Sequence, residues 1–343
     1  MYSRRHENGA ILIISLWILV ILSMLAIGIG HKLSLEIRLL HNHLDSTKAF
    51  YIAKAGVLRA IAERAKLLQA KETIYADSFN QPWFNSEALF KDIKLGDGSY
   101  TIQNPAAAGV FGMADEQAKI NINIAGFDVL KNLLLQVAES SDEAVNIAAS
   151  IIDWRDLDAD IFQDPDTKQL IGTEDNCKNS NFDVIEELLL VKGVTSEIYS
   201  LLKNYATIYG SGAININTAD EIVLASVLDE PLPKYIINTR QPVLDMPTGK
   251  WFVATDDVIN EDVEKIVNIH SDTADPGLPG SDTDKAVLWD NLRSQETAGV
   301  IGVQSSVFRI NSIGTVNRIK RVIETVVKLE SDGQYKFLFW RQR

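Results

Sequence analysis

Cysteine occurs once in 343 residues, at Cys177. No intrachain disulfide is therefore available, and a thiolate zinc site, which draws on several cysteines, is disfavoured. Because an outward-facing bacterial domain can lack disulfides, this leaves the compartment open. The sequence has no HExxH motif, phosphate loop, dinucleotide fingerprint or nucleophile elbow, and only five histidines. No enzyme is expected. Positive charge is also short: 33 Lys and Arg stand against 46 Asp and Glu, a formal net charge of -13. Such a chain repels phosphate backbones, so non-specific nucleic-acid binding is disfavoured. Proline is missing from the first 81 residues, and Ala10–Gly30 contains neither proline nor any charge.

What is present begins with that run. Its 21 residues would form roughly 32 Å of helix, about the thickness of a bilayer's hydrocarbon core. Arg4 and Arg5 precede it and favour the cytoplasmic side, sending the chain after His31 outward. The run is long for a cleaved secretory signal, although Ala26-Ile27-Gly28 offers a weak cut site; a plain signal anchor also stays open. Beyond it, Leu33, Leu35, Leu39, Leu40, Leu44, the stretch AFYIAKAG, Ile61, Leu67 and Leu68 keep a three-and-four spacing. The pattern predicts one continuous helix of about 60 residues, near 90 Å long, whose inner half sits in lipid and whose outer half packs on a folded domain.

The remaining composition is ordinary for globular protein, with 23% charged and 46% hydrophobic residues. Residues 71–118 read as short strands and loops, with Asp97-Gly98 as a turn. The pattern ININ-x-A occurs at Ile120 and again at Ile214, each time before a helical pattern. Between the copies lie helical segments, among them SDEAVNIAASIIDWRD, FDVIEELLLVKG and TSEIYSLLKNYATIYG, with Thr195 as a helix cap. Residues 271–284 read as a loop, 229–270 have little pattern apart from a strand candidate at Trp251-Phe252-Val253, and VFRINSIGTV, RIKRVIETVVKLE and YKFLFWRQR read as strands.

Two parts of this sequence carry a resemblance. The short basic leader ending in Gly9, Ala10 after it, the apolar run and the continuing helix with AFYIAKAG resemble type IV pilins and the pseudopilins of type II secretion. From Asp115 to about Leu228, the ordered pieces IIDWRDLDAD, GTEDN, FDVIEELLLVKGVTSEIYSLLKNY and ININTADEIVLASV resemble the helical domain inserted in K-type minor pseudopilins. The resemblance implies an α+β fold: a long transmembrane and amphipathic N-terminal helix packed on a small antiparallel sheet, with a large, mostly helical inserted domain. The expected division is a leader over 1–9, a transmembrane helix over 10–30, its periplasmic extension over 31–70, a first pilin-like part over 71–118, the helical insert over 119–240 and a second pilin-like part over 241–343. It further implies cleavage by a prepilin peptidase between Gly9 and Ala10 and methylation of the new amine.

Most pilin-like subunits carry glutamate five residues after the cut, where it meets a neighbour's ammonium. Here that residue is Ile14, and no acid follows until Glu36. A subunit that lends an amine but offers no carboxylate belongs at an end of a fibre, since a buried charge pair is a strong positional device. The family places its K-type member at the tip. The implied partners are the I-type and J-type minor pseudopilins, the peptidase and the inner-membrane secretion platform, without nucleic acid, in a single-pass inner-membrane protein with a periplasmic domain. Two other readings remain at this stage. A membrane-anchored DNA receptor would use VKGVTSE as a helix-hairpin-helix turn, but it has only Gly193 and acidic surroundings. A type IV pilus tip pilin would share the leader.

One metal site is a candidate. Residues 142–187 hold 13 acids and three basic residues, and Asp156-x-Asp158-x-Asp160 alternates oxygen donors, with Glu174 and Asp175 following. Calcium takes six to eight oxygens on a bent loop. The loop is no EF-hand, because Ile161 and Thr167 occupy the positions of its glycine and its bidentate glutamate; a solvated acidic loop is the alternative. The family resemblance favours structural calcium without transferring its ligands, and the acidic loop itself offers Asp156, Asp158, Asp160, Glu174 and Asp175 as the expected ones.

Overall fold

The computed structural model describes residues 7–69, 76–105, 107–158, 160–173, 175, 177–240, 251–253, 266–269, 278–330 and 332–343. The expected α+β architecture is present. Helix α1, Glu7–Gln69, runs unbroken for 63 residues, about 95 Å at 1.5 Å per residue. Its outer part lies on an antiparallel sheet. A short helix α2 (Glu87–Phe90) leads into β1 (Ile93–Leu95), β2 (Gly98–Ile102) and β3 (Ala114–Asp115). The chain returns after the insert as β10 (Val307–Val316), β11 (Ile319–Leu329) and β12 (Tyr335–Gln342). The sheet order is β1-β2-β10-β11-β12, with β3 also paired to β10.

The close seating of α1 has a sequence cause. Residues Ala49, Ala53, Gly56 and Ala60 line the middle of the helix face turned to the sheet with small side chains, flanked by Ile52 and Val57, and all are buried. Across from them, a Cβ on Gly314 of β10 would collide with the Ala49 carbonyl oxygen, so glycine there lets the two backbones touch. Ser312, one pleat away, donates its hydroxyl to the Ala53 carbonyl at 2.8 Å. Strand β10 alternates buried and half-buried residues along its length, the period-two pattern of a strand covered unequally on its two faces. Near the membrane-facing end, Asn317 in the β10–β11 turn adopts φ +53° and donates to Asp45 of α1 at 2.8 Å.

The insert forms a second core from β4 (Ile120–Asn121), α3 (Phe127–Leu134), α4 (Ser141–Arg155), a 3-10 turn at Ile185–Leu190, α5 (Ser196–Tyr205), β5 (Ala206–Thr207), β6 (Ile214–Asn215), α6 (Glu221–Ala225) and α7 (Leu232–Arg240). It does not stop at residue 240 as the sequence pattern sets it. Strands β7 (Trp251–Val253), β8 (Ile266–Asn268) and β9 (Ile301–Gly302) and helix α8 (Asp282–Thr297) follow, and Phe252, Ile269, Trp289, Leu292 and Val303 share the core of the insert. The second pilin-like part therefore starts near Ser305 rather than at 241. Two local readings also change. FDVIEELLL makes a 3-10 turn instead of an α-helix, and residues 282–284, read as loop, open α8 through a Ser281–Asp284 capping box. The pattern at 251–303 is weak because its apolar residues are spread over pieces of three residues and one polar helix.

Candidate assembly surfaces and the buried junction

Three places in this fold stand out: the outer face of α1, the joint between the two cores, and the acidic loop. On α1, Leu33, Ile37, Leu40, Leu44, Tyr51 and Leu58 recur at spacings of 4, 3, 4, 7 and 7. Each is at least two-fifths exposed. At 100° per residue they lie opposite Ala49, Ala53 and Ala60, so the sheet and this stripe occupy opposite sides of the helix. Sustained three-four spacing is the pattern of a helix–helix seam. Towards the N-terminus α1 is long and apolar enough to cross a membrane, with a window of mean hydropathy 2.8. Ile14 lies in that stretch, 58% exposed along the open helix surface. Gly9 and Ala10, the expected processing pair, fall within the first turns of the helix.

The joint is built on Asp115-Glu116-Gln117, three consecutive polar residues that are all buried. Each side chain ties a different pair of segments. The Asp115 carboxylate accepts from Thr218 Oγ1 at 2.6 Å, Ser305 Oγ at 2.6 Å and Asn215 Nδ2 at 3.1 Å, and its other oxygen accepts from the Gln117 N–H at 2.8 Å. Glu116 pairs with Arg309 of β10 at 2.5 Å and accepts from Thr207 Oγ1 of β5 at 2.5 Å. Gln117 accepts from the Ser306 N–H at 2.6 Å and donates to the Ala213 carbonyl at 3.4 Å. Helix α1 joins the same joint through Arg64, whose guanidinium meets Asp77 at 2.7 Å with both side chains almost fully buried. Asp77 in turn accepts from the Ser305 N–H at 2.7 Å, and its carbonyl accepts from Asn215 at 3.1 Å.

The two acids sit differently. Burial pushes the Asp115 carboxyl up to about 6, with the Ser305 and Thr218 hydroxyls opposing; among the described residues no cation pairs with it. For Glu116 burial acts the same way, but Lys119 and Arg309 outweigh it and hold the carboxyl below the usual range. Glu324 on β11 repeats that balance with Arg341 and Arg309, so one ionic chain runs from the insert across β10, β11 and β12.

Within the insert, the repeated ININ-x-A motif marks two copies of one unit. Ile120 and Asn121 pair in parallel with Ala206 and Thr207; Ile214 and Asn215 pair in parallel with Ile301 and Gly302. In each copy the first asparagine accepts the N–H two residues on, at 3.0 Å. The second asparagine clamps a distant phenylalanine backbone with both ends of its amide: Asn123 on Phe182 at 3.1 and 2.8 Å, Asn217 on Phe252 at 2.9 and 2.7 Å. An arginine ending the second helix of each unit, Arg155 or Arg240, donates to the carbonyl of Ile122 or Ile216. Burial lowers both arginines to about 10, which leaves them charged at neutral pH. The motif was visible in sequence; its clamping of Phe182 and Phe252 was not, since those partners lie 59 and 35 residues away.

The acidic loop follows α4. Asp156 caps that helix, and Asp160 donates its N–H to Asp158 at 3.0 Å. Asn179, at φ +50°, donates to the Asp158 carbonyl at 2.8 Å and holds a buried Oδ1 that has no partner among the described residues. Asp175 is exposed, and Glu174 lies outside the described residues. Among the described residues no three Asp, Glu, His or Cys side chains converge as a metal-binding group. The available donors are all hard oxygens, including the orphaned Asn179 amide oxygen, and that chemistry fits calcium better than any softer ion. At the candidate hairpin, Gly193 takes φ +90° and its α-carbon faces Ile147 of α4 so closely that a Cβ would touch it; the turn serves packing between helices.

Comparison with known proteins agrees with the resemblance to the K-type minor pseudopilins. A family described as type II secretion system (T2SS), protein K, matches residues 110–211. The type II secretion system protein K of Pseudomonas aeruginosa is 26% identical over 239 residues, covering 66% of this chain and 69% of that protein. The protein K of Aeromonas hydrophila is 24% identical over 273 residues, covering 73% and 79%. In structure, a chain of the GspK-GspI-GspJ complex from the enterotoxigenic Escherichia coli type 2 secretion system superposes with a TM-score of 0.61 at 17% identity, over 89% of this chain and 99% of that one.

Proposed function

We propose that this chain, similar to protein K of type II secretion in both sequence and fold, is the minor pseudopilin that begins and caps the secretion pseudopilus. The observation that carries the reading is the pairing of one 63-residue helix with a bulky head matched by the protein K family. Arg4 and Arg5 hold the leader on the cytoplasmic side, and Ala10–Gly30 anchors the chain in the inner membrane. A prepilin peptidase cuts after Gly9 and the Ala10 amine is methylated. The stripe from Leu33 to Leu58 then packs on the helices of I-type and J-type companions, a partnership that the solved GspK-GspI-GspJ complex supports by analogy. Without an acid at Ile14, the chain engages a neighbour from one side only. The role is structural, with no catalytic step.

Calcium belongs to the same proposal as a structural ion of the acidic loop, held by Asp156, Asp158, Asp160, Glu174 and Asp175. Its charge would offset the mutual repulsion of those carboxylates and order the loop between α4 and the 3-10 turn. Elemental analysis of the purified full chain, with thermal unfolding before and after chelation, tests this: bound calcium and a lower midpoint after chelation are expected, and neither would be seen if the loop is only solvated.

The processing step is tested by mass spectrometry of the N-terminus in native membranes. A mature chain starting at methylated Ala10 is expected. An intact Met1, or a cut after residues 26–30, defeats the pilin route.

A further inference from the structure

Charge is divided unevenly between the two parts of this fold. Residues 119–304 hold 32 acids against 13 Lys and Arg, while the remaining residues hold 14 against 20. The insert joins the sheet at Asp115 and Ser305, beside the start of β10, and β10 then runs on for ten residues, about 33 Å. The far end of the sheet is basic. There Lys94, Ser99, Thr315 and Lys320 form one cross-strand row. Their neighbours in sequence, Ile93, Tyr100, Val316 and Ile319, face the α1 core, so the row lies on the other face. Both lysines are exposed, and so is Arg318 in the β10–β11 turn. Arg321, also exposed, donates Nε to Ser46 of α1 at 2.8 Å. Arg38 of α1 stands 11 residues before Ala49, which at about 100° per residue returns it close to the sheet-facing side. Two acids oppose these five cations: Asp45 accepts from Asn317 at 2.8 Å, and Asp92 accepts from Thr101 Oγ1 at 3.1 Å. Lys32 with Glu36, and Lys48 with Asp97, neutralise each other. Arg343 adds little, because Glu324 lies 3.8 Å away.

This basic end is the one nearest the apolar run. Asp45, level with the β10–β11 turn through Asn317, stands 15 residues past Gly30, roughly 22 Å along the helix. Lipid headgroups fill about 6 Å of that height. Membrane helices tilt by about 20° on average. A tilt towards the sheet lowers the turn, roughly 10 Å off the helix axis, to about 11 Å above the headgroups. That is close to the Debye length of about 10 Å at 0.1 M salt. Lysine and arginine side chains reach further down, and Arg38, roughly 12 Å past Gly30, lies lower still. An anionic bilayer attracts cations held at this height. The same surface repels the acidic insert, a strand's length further out, so both ends of the head favour one orientation. An acidic protein would also suit the charge; the position over the membrane selects the lipid.

We propose that the basic end of the sheet, Lys94, Arg318, Lys320 and Arg321 with Arg38 of α1 beneath it, binds anionic phospholipid headgroups of the leaflet on the head's own side of the membrane, and so leans the unassembled subunit onto the bilayer. This rests on the pseudopilin reading above, with Ala10–Gly30 as the anchor, and adds a defined orientation of the stored subunit. The test uses the full chain in nanodiscs of phosphatidylcholine, alone or with about one-third phosphatidylglycerol, and a photo-crosslinking amino acid at Arg318. Phospholipid adducts are expected in the anionic discs at about 0.1 M salt. They should fall roughly 10-fold in phosphatidylcholine alone, and likewise at about 1 M salt, where the Debye length is about 3 Å. Lys94→Glu combined with Lys320→Glu should lower them as strongly without moving the thermal midpoint, since both side chains are exposed. Equal yields in the two lipids, or full yield in the charge-reversed variant, overturn the assigned charge recognition. No lipid adduct in any disc overturns the lean and leaves the pseudopilin function standing, whereas a chain that fails to enter the disc overturns the anchor and this proposal with it. In native membranes, an Arg318 adduct to an acidic protein with none to lipid overturns the choice of lipid.

Discussion

Asp115 supplies a pH signature that can be worked through from its surroundings. Its carboxyl is raised from 3.8 to about 6 by complete burial, so the native state binds its proton more tightly than the unfolded chain does. The stabilisation of the fold by this group is then fully present below about pH 4 and is lost as pH rises through about 6. Two pH units of separation correspond to about 3 kcal/mol in all, and the part falling between pH 4.5 and 7.5 is about 2 kcal/mol. Glu116 and Glu324 are held low and act in the opposite sense, so wild-type unfolding alone would blend the signals. The informative perturbation is Asp115→Asn, which keeps the shape and removes the titration. The assay is thermal or urea unfolding of wild type and variant at both pH values. The variant carries a constant penalty, because its amide NH₂ meets the Asn215 donor. Relative to wild type it should gain about 2 kcal/mol on going from pH 4.5 to 7.5, some 4–8 °C in midpoint for a domain of this size. A wild-type-minus-variant difference that does not move with pH would refute the reasoning and mean that Asp115 titrates like an ordinary carboxylate.

Four other outcomes follow from particular contacts. Arg64→Ala strands the buried Asp77 carboxylate and should cost about 3–5 kcal/mol in unfolding free energy; Arg64→Ala combined with Asp77→Ala should recover part of that loss. Asn217→Ala and Asn123→Ala each remove a two-bond backbone clamp, and the first should be the more destabilising by about 1 kcal/mol because Asn217 is buried and Asn123 only half-buried, as read by chemical denaturation. Gly314→Ala should push α1 off the sheet, lowering stability by about 1–3 kcal/mol and raising amide exchange around Ala49–Ala53. Ile14→Glu should allow incorporation along the shaft rather than at the end only, seen by immunogold labelling of fibres; unchanged end-labelling would count against the positional role of that residue.

The parts of this protein legible in its sequence are the local ones. α1 declares itself because a helix needs only its own residues: proline is absent, apolar side chains recur at three and four, and the lipid-length run is unbroken. The strands of 307–342 alternate visibly for the same reason. The repeated ININ-x-A motif flagged two equivalent strand-to-helix turns. The end of the insert is not legible in sequence because Phe252, Trp289 and Leu292 come from short or polar segments whose apolar residues gain meaning only beside a core built mostly from residues 120–236.

The amino-acid order by itself determined the long helix, its lipid-length apolar run and the acidity of the insert, since each follows from composition or periodicity over neighbouring residues; the weight given to Ile14 comes from the resemblance to pilin-like subunits. Only the tertiary structure decided that Asp115, Glu116 and Gln117 form a sealed joint and that Lys94 and Lys320 share one row of the sheet. Both depend on residues far apart in the chain, up to 190 and 193 residues for Asp115 and Glu116, and burial, which sets the proton affinity of a carboxylate, is a property of the packed chain that no local window contains.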